Sequence, residues 1–282
     1  MATSGRCIRH GRFEVMASSN ITRRMMTLAG LTALGWTGTS LAQSLPQQQD
    51  QEQPRAKKEF NLGLGVAYVP TFQGADGYRM VPLPSIDISI GRFFVNLRNG
   101  VGLKVVETRN VTLGASLSWT PGYRGRDVPD GIGRLSTGLG ARAFGSLSGG
   151  GFIATLGATQ GLAGGTGGLI ADASLSRPVM LTRQLFVIPT VGITWANEQH
   201  QDRYFGINAS QALASGLPEY HLDPGSKDAS ASITLNYRMT PRLNLTLSGG
   251  STVLLGDAKD SPLVEDDTTF SAFFAFSYRF GR

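Results

Sequence analysis

From Phe60 onward, apolar and polar residues alternate in one short run after another. Phe60, Leu62, Leu64, Val66 and Tyr68 share one face of an extended strand, with Asn61, Gly63, Gly65 and Ala67 on the other. Val111, Leu113, Ala115, Leu117 and Trp119 repeat the device against Thr112, Gly114, Ser116 and Ser118. Ala231, Ile233, Leu235, Tyr237 and Met239 likewise oppose Ser232, Thr234, Asn236 and Arg238. About twelve such segments are present, near 60–69, 81–90, 92–98, 100–107, 110–119, 134–145, 151–160, 167–176, 184–195, 230–239, 242–253 and 269–280. In the last, Phe274, Phe276, Tyr278 and Phe280 make a wholly aromatic face, while Ala275, Ser277 and Arg279 make a small and polar one. A closing strand with its aromatic side in lipid and its polar side in a lumen has this pattern. The pattern predicts an all-β fold over residues 59–282: a transmembrane, antiparallel, up-and-down β-barrel of about twelve strands.

The connections point the same way. Counted from a periplasmic start, the even ones are short: Gly91, the neighbourhood of Arg109, Ser148 to Gly150, Arg177 to Arg183, and Thr240-Pro241. The odd ones include the long stretches 70–80, 120–133, 196–229 and 254–268. Short periplasmic turns and long outer loops are the habit of outer-membrane barrels, and a soluble sandwich has no reason for that parity.

Before the strands, Arg23 and Arg24 precede the apolar run Met25 to Trp36, and small residues end it at Ser40-Leu41-Ala42. A basic head, a short apolar centre and a small-x-small end predict a signal peptide over 1–42. The following QSLPQQQDQEQPRAKK lacks apolar periodicity and predicts a disordered periplasmic tail over 43–58.

Composition changes this picture little. With 37 Gly, 41% hydrophobic and only 16% charged residues, no stretch after the leader offers the 18 or so unbroken apolar residues of a spanning helix. The formal charge of +6 misleads: Arg6, Arg9, Arg12, Arg23 and Arg24 sit in the leader, leaving 21 basic and 19 acidic residues beyond it. That balance gives no case for nucleic-acid binding. Cys7 is the only cysteine, so a chain without its leader has no disulfide or thiol chemistry.

On the lumen side the pattern places Asp87, Arg98, Lys104, Arg142, Asp172, Arg238 and Arg279. These charges either pair across the lumen and close it or line a narrow pore. Trp119 and Trp195 fall near the upper ends of rising strands, where an aromatic belt sits. His200 and His221 each begin a His-x-Asp triplet, in a polar loop where solvated side chains are the expectation rather than a metal site. The loop acids Glu198, Asp202, Asp223, Asp257, Asp260, Glu265, Asp266 and Asp267 read as solvated rim charge. The glycine-rich 161–168 lacks the Lys-Ser/Thr end of a phosphate loop and reads as a hairpin connection. No catalytic residue, metal site or cofactor is implied.

Several stretches together resemble the MipA/OmpV family, the MltA-interacting proteins. They are Tyr68-Val69-Pro70 with Gly74-Ala75-Asp76, then Tyr204-Phe205-Gly206-Ile207, Gln211-Ala212, and Ser215-Gly216-Leu217-Pro218-Glu219-Tyr220. Leu255-Gly256-Asp257-Ala258-Lys259-Asp260-Ser261-Pro262-Leu263-Val264 and Tyr278-Arg279-Phe280 complete the set. The resemblance covers about residues 60–280 and rests on the order and spacing of these pieces. It implies a barrel in the outer membrane, embedded in its lipid. It also implies a non-enzymatic scaffold that tethers a lytic transglycosylase to a murein synthase, whereas other relatives look like surface antigens or adhesins. A narrow solute channel is the further alternative. The resemblance makes Tyr204, Phe205, Gly206, Ser215, Gly216, Leu217, Pro218, Tyr220, Gly256, Asp257, Asp260, Ser261 and Pro262 candidate partner or loop-motif residues. In Ser215 to Pro218 a turn competes with binding as the reason for the sequence. A loop folded back over the barrel mouth is the expected elaboration. Phe276, Tyr278 and Phe280 are the expected barrel-assembly signal.

Overall fold

The computed structural model describes residues 58–280. The expected leader and most of the tail lie outside these residues, and Lys58, expected to end the tail, is the first residue of a strand. Thirteen strands follow: β1 (Lys58–Pro70), β2 (Tyr78–Ile90), β3 (Phe93–Asn96), β4 (Gly100–Glu107), β5 (Val111–Thr120), β6 (Gly138–Gly149), β7 (Phe152–Ala163), β8 (Leu169–Ser176), β9 (Val179–Met180), β10 (Leu185–Ala196), β11 (Gly225–Arg238), β12 (Leu243–Leu254) and β13 (Thr268–Phe280). Two helices, α1 (Glu198–Phe205) and α2 (Ala209–Ser215), interrupt the β10–β11 connection.

Each strand pairs antiparallel with its sequence neighbour, and β13 returns to pair with β1 from Phe60↔Phe280 to Tyr68↔Ala272. Both β8 and β9 pair with β10, on either side of a break at Arg177-Pro178, so they act as one interrupted strand. Proline has no N–H to give a ladder. The wall is therefore a closed barrel of twelve strand positions with one extra short strand. Closure leaves the sheet without a free end, the condition for strands to cross lipid.

Register fixes the faces. Leu64, Met80, Trp119, Leu156 and Phe276 point outward and are well exposed; Ser118, Thr155, Thr190, Thr234 and Ser248 point inward and are buried. A lipid-facing wall inverts the soluble pattern, with apolar side chains outside and hydroxyls inside. Inside, hydroxyls satisfy one another across neighbouring strands: Ser146 with Thr155 at 2.8 Å, Ser176 with Thr190 at 2.9 Å, and Thr234 with Ser248 at 2.8 Å. Apolar exceptions inside are a patch of Ala67, Val69, Phe273 and Ala275, backed by Val81 and Leu83, and the buried Phe94, Ile153, Phe186 and Ile188.

Two strands, β6 and β11, depart from the expected bounds by four residues or more. The segment expected at 134–145 is β6 at Gly138–Gly149, because Tyr123 and Leu135 bridge across the loop first. And β11 starts at Gly225 rather than 230, because Lys227 forms a β-bulge opposite the Thr194/Trp195 step of β10. A bulge breaks the period of two that marks strands in a sequence.

Candidate functional site

The outer ends of the strands carry connections 71–77, 121–137, 164–168, 197–224 and 255–267. They do not stand free in solvent. Phe72, Tyr123, Ile132, Tyr204, Phe205, Ile207, Leu222 and Leu263 are buried together in one apolar cluster, with Leu217, Tyr220 and Val264 packed against it. This is a small soluble-type core built from loops, and it lies across the barrel mouth as a lid.

The longest connection is ordered by its own helix signals. Asn197 caps α1, its side chain accepting from the His200 N–H at 3.1 Å. Asn208 and Gln211 form a reciprocal capping box on α2, and Gly216 ends that helix in the left-handed region at φ +74°. In Ser215-Gly216-Leu217-Pro218 the structure thus shows a helix stop, with Ser215 Oγ donating to the Gln211 carbonyl at 2.7 Å and Leu217 tucked against the lid core. Ile207 and Tyr220 then pair as an isolated bridge that ties the loop to itself.

The last connection locks onto the longest one. Ser261 Oγ donates to the Phe205 carbonyl at 2.6 Å, and the Tyr220 hydroxyl donates to the Asp257 carbonyl at 2.9 Å. Gly256 adopts φ +54° at the entry to a short 3-10 turn over Gly256–Ala258. Gly206 is buried behind α1, where a Cβ would meet the Asp202 carbonyl at 2.3 Å. The side chains of Asp257, Asp260 and Pro218 face outward. So the two sequence motifs singled out for binding are mainly the interlocked halves of one lid.

A buried polar network pins that lid to the wall. The bulge at Lys227 sends both Lys227 and Asp228 into the lumen, where neither has exposed surface. Lys227 and Asp228 form an ion pair. Lys227 Nζ donates to Gln73 Oε1 at 2.7 Å, and Gln73 Nε2 donates to Asp228 Oδ2 at 2.8 Å. The Gln73 backbone N–H donates to the Tyr204 hydroxyl at 3.2 Å. Tyr204 also stacks on His200, with ring centroids 5.9 Å apart. Burial pushes the Tyr204 hydroxyl up to about 12, so it stays neutral and can accept.

His200 corrects the sequence reading. It is a buried residue of the lid, with Nδ1 2.7 Å from Thr166 Oγ1. Burial, with Lys227 nearby, lowers its pKa to about 3. The same packing explains Gly168, where a Cβ would meet the His200 backbone nitrogen at 2.4 Å. His221 is exposed, and its partners are Glu219 at 3.2 Å and Asp202 at 3.1 Å rather than its triplet neighbour Asp223. Those two hydrogen bonds, Glu219's first, raise its pKa. Among the described residues, no group of three or more His, Cys, Asp or Glu side chains is placed to hold a metal ion.

The seven lumen charges divide. Asp87, Lys104, Arg142, Asp172, Arg238 and Arg279 point inward from strands, and Arg98 lies in the β3–β4 turn. Arg142 holds Asp172 through both terminal nitrogens, at 2.5 and 2.9 Å, and Lys104 meets Glu107 at 2.7 Å. Phe276, Tyr278 and Phe280 lie exposed on the outer face, and Trp119 and Trp195 face outward near the tops of β5 and β10.

A family model described as MltA-interacting protein MipA matches residues 62–280. The chain belongs to the MipA family. Two curated relatives match over 116 residues each: YiaT of Escherichia coli (strain K12), at 28% identity and 40% of this chain, and the 24 kDa outer membrane protein of Pasteurella multocida (strain Pm70), at 24% identity and 41% of this chain. The match spans 45% of the length of either relative. Both are named as outer membrane proteins, and this MipA-family barrel is an outer-membrane protein too. Among solved structures, the NanC porin aligns over 79% of this chain and all of its own, at 8% identity and a TM-score of 0.39. The KdgM porin aligns over 79% of this chain and 99% of its own, at 7% identity and a TM-score of 0.37.

The sequence reading missed the residues that hold the MipA-family lid down: Gln73, Tyr123, Thr166, Lys227 and Asp228. One signal was available for the last two. Consecutive charges at Lys227-Asp228, just before a clean alternation begins, are foreign to a wall strand.

Proposed function

We propose that this protein is a capped, non-enzymatic anchor in the outer membrane that tethers cell-wall enzymes, a lytic transglycosylase and a murein synthase. The lid is the observation that carries this reading. Its core closes the outer mouth, so the barrel's use is as a membrane fixture rather than a free passage. The description of the family, MltA-interacting protein, supports a protein partner. With the lid facing outward, the short turns at the other rim are the surface left for a periplasmic contact. Purified full-length barrel, folded in detergent, is expected to retain a lytic transglycosylase or a murein synthase on an affinity column. Failure to retain either removes the reading.

A narrow solute channel is the second reading, and a specific observation favours it. A cavity of about 380 Å³ lies beneath the lid, and Arg98, Arg142 and Asp172 line it. Planar-bilayer recording separates the two: steady conductance supports the channel, and silence supports the plugged anchor.

A further inference from the structure

The wall has a gap. On its second edge β2 pairs with β3 only from Asp87 to Ile90, so Tyr78 to Ile86 have no strand beside them there. Across the gap, β5 pairs with β4 only up to Leu117. Between them β3 and β4 form a hairpin too short to reach the top. Its turn is firmly made: the Asn99 N–H donates to Asn96 Oδ1 at 2.7 Å, and Gly100 sits at φ +74°, where a Cβ would lie 1.8 Å from the Leu117 carbonyl oxygen. Above the gap, Arg79 of β2 reaches Asp127 of the β5–β6 connection at 2.8 Å. The result is a framed window rather than an unfinished sheet. The bare β2 edge carries Pro82 and Pro84, residues with no N–H to leave unpaired in lipid.

The window leads to the cavity beneath the lid. That cavity of about 380 Å³ is lined by both edges of the gap, Leu83 of β2 and Ser118 and Trp119 of β5, and by inward groups of the far wall. Its charge is unbalanced. Arg142 is matched by Asp172 and Arg79 by Asp127. Arg98 and Arg124 also line the cavity; Arg98 shares the field of Asp172 with Arg142, and neither Arg98 nor Arg124 makes a side-chain hydrogen bond or ion pair among the described residues. Trp119, 66% exposed on the outer face, and the stacked Tyr68 and Tyr78 place the window at the level of the outer headgroups.

We propose that the window is a lateral binding site for an anionic amphiphile of the outer leaflet. Its phosphate or carboxylate passes between β2 and β5 and is held by Arg98, with Arg124 as second cation. Its acyl chain stays in the bilayer against Pro82, Pro84 and Trp119. A guanidinium is suited to the task, because it presents paired donors to an oxyanion.

Native mass spectrometry of the full-length barrel in a neutral maltoside detergent tests it, with lysophosphatidic acid, lysophosphatidylcholine and inorganic phosphate as probes. Lysophosphatidic acid is expected to saturate at one molecule per barrel, lysophosphatidylcholine not to saturate, and inorganic phosphate in large excess not to compete. Arg98→Gln is expected to weaken lysophosphatidic acid about 10-fold, the scale of one charge-assisted contact. Arg242→Gln, on a cation in the turn between β11 and β12, is expected to change nothing. Heat-modifiable migration verifies that both variants fold. Leu83→Glu, which puts a carboxylate inside the window, is expected to abolish binding as a second variant. Absence of a saturable adduct, or equal binding by Arg98→Gln, overturns the site. Displacement by inorganic phosphate overturns the amphiphile and leaves a plain anion pocket.

Discussion

Within the membrane this chain repeats one device: an antiparallel strand, greasy outside and hydroxylated inside, paired on both edges nearly everywhere. Above the membrane it builds with different means, a cluster of aromatic and aliphatic side chains from separate loops, pinned by buried polar bonds. Inside the wall, apolar groups are few and scattered, as at Phe94, Ile153, Phe186 and Phe273. The lid has one much like a small soluble domain. The wall is held by ladder hydrogen bonds and by lipid, which gives its backbone no alternative partners. The lid is held by apolar burial and by side chains 131 to 155 residues apart in sequence. Two structures so differently supported should come apart separately, with the lid opening while the wall stands.

The largest expected effect tests the wall. A Cβ at Gly63 would fall 1.9 Å from the Phe276 carbonyl oxygen across the closing β1–β13 pair. Gly63→Val is therefore expected to prevent closure, with loss of the heat-modifiable band on a gel; a normal band breaks the account of the seam. Next comes the lid. Phe205 has no exposed surface, and Phe205→Ala is expected to cost the lid about 3–5 kcal/mol. Limited proteolysis should then cut within 197–224 while heat-modifiability persists, and loss of both together would show that wall and lid are one cooperative unit.

Lys227→Met leaves Asp228 buried beside Gln73 without its cation, a loss of about 3–5 kcal/mol at most. It sits where lid and wall meet, so its proteolysis pattern shows which of the two the network serves; cleavage confined to the loops is expected.

A smaller effect comes with pH. His200 has a folded pKa of about 3 against an ordinary 6.5, so the opened lid binds the proton more readily than the closed one. Lid stability contributed by neutral His200 is complete above pH 6.5 and falls as pH drops toward 3. At pH 5 the loss is roughly 2 kcal/mol, from about 1.36 kcal/mol per unit. Proteolysis with an acid-active protease should show the loops opening between pH 6.5 and 4, and His200→Gln should flatten that dependence. The raised pKa of exposed His221 has the opposite sign, with its contribution full below pH 6.5 and lost above its raised value. His221→Asn is expected to leave loop protection unchanged at pH 7.5, the smallest effect of the set.

The wall was readable in the sequence because its rule is local. Alternation at Val111 to Trp119 or Phe270 to Phe280 needs no knowledge of the rest of the chain, and lipid rewards it everywhere alike. Where the rule was broken, reading failed: at the Lys227 bulge, and at β6, whose start is set by the Tyr123–Leu135 bridge rather than by its own pattern. The lid was readable as motifs but not as an object. Phe205 and Ser261 lie 56 residues apart and Gln73 and Tyr204 lie 131 apart, and no local period links them. The same blindness made His200 look like a solvated loop residue. Pro82 and Pro84 carry a local signal of the gap, since alternate prolines inside a strand mark an edge.

The bulge at Lys227 also governs what the protein tolerates. One surplus residue reverses the inside–outside sense of the strand above it relative to the strand below. Removing Lys227 would leave Ser226 opposite Trp195 but strip the buried Asp228 of its cation and Gln73 Oε1 of its donor. Single-residue insertions or deletions here should be far more damaging than the loss of a whole turn of α2, whose exposed Leu213 touches nothing essential to closure.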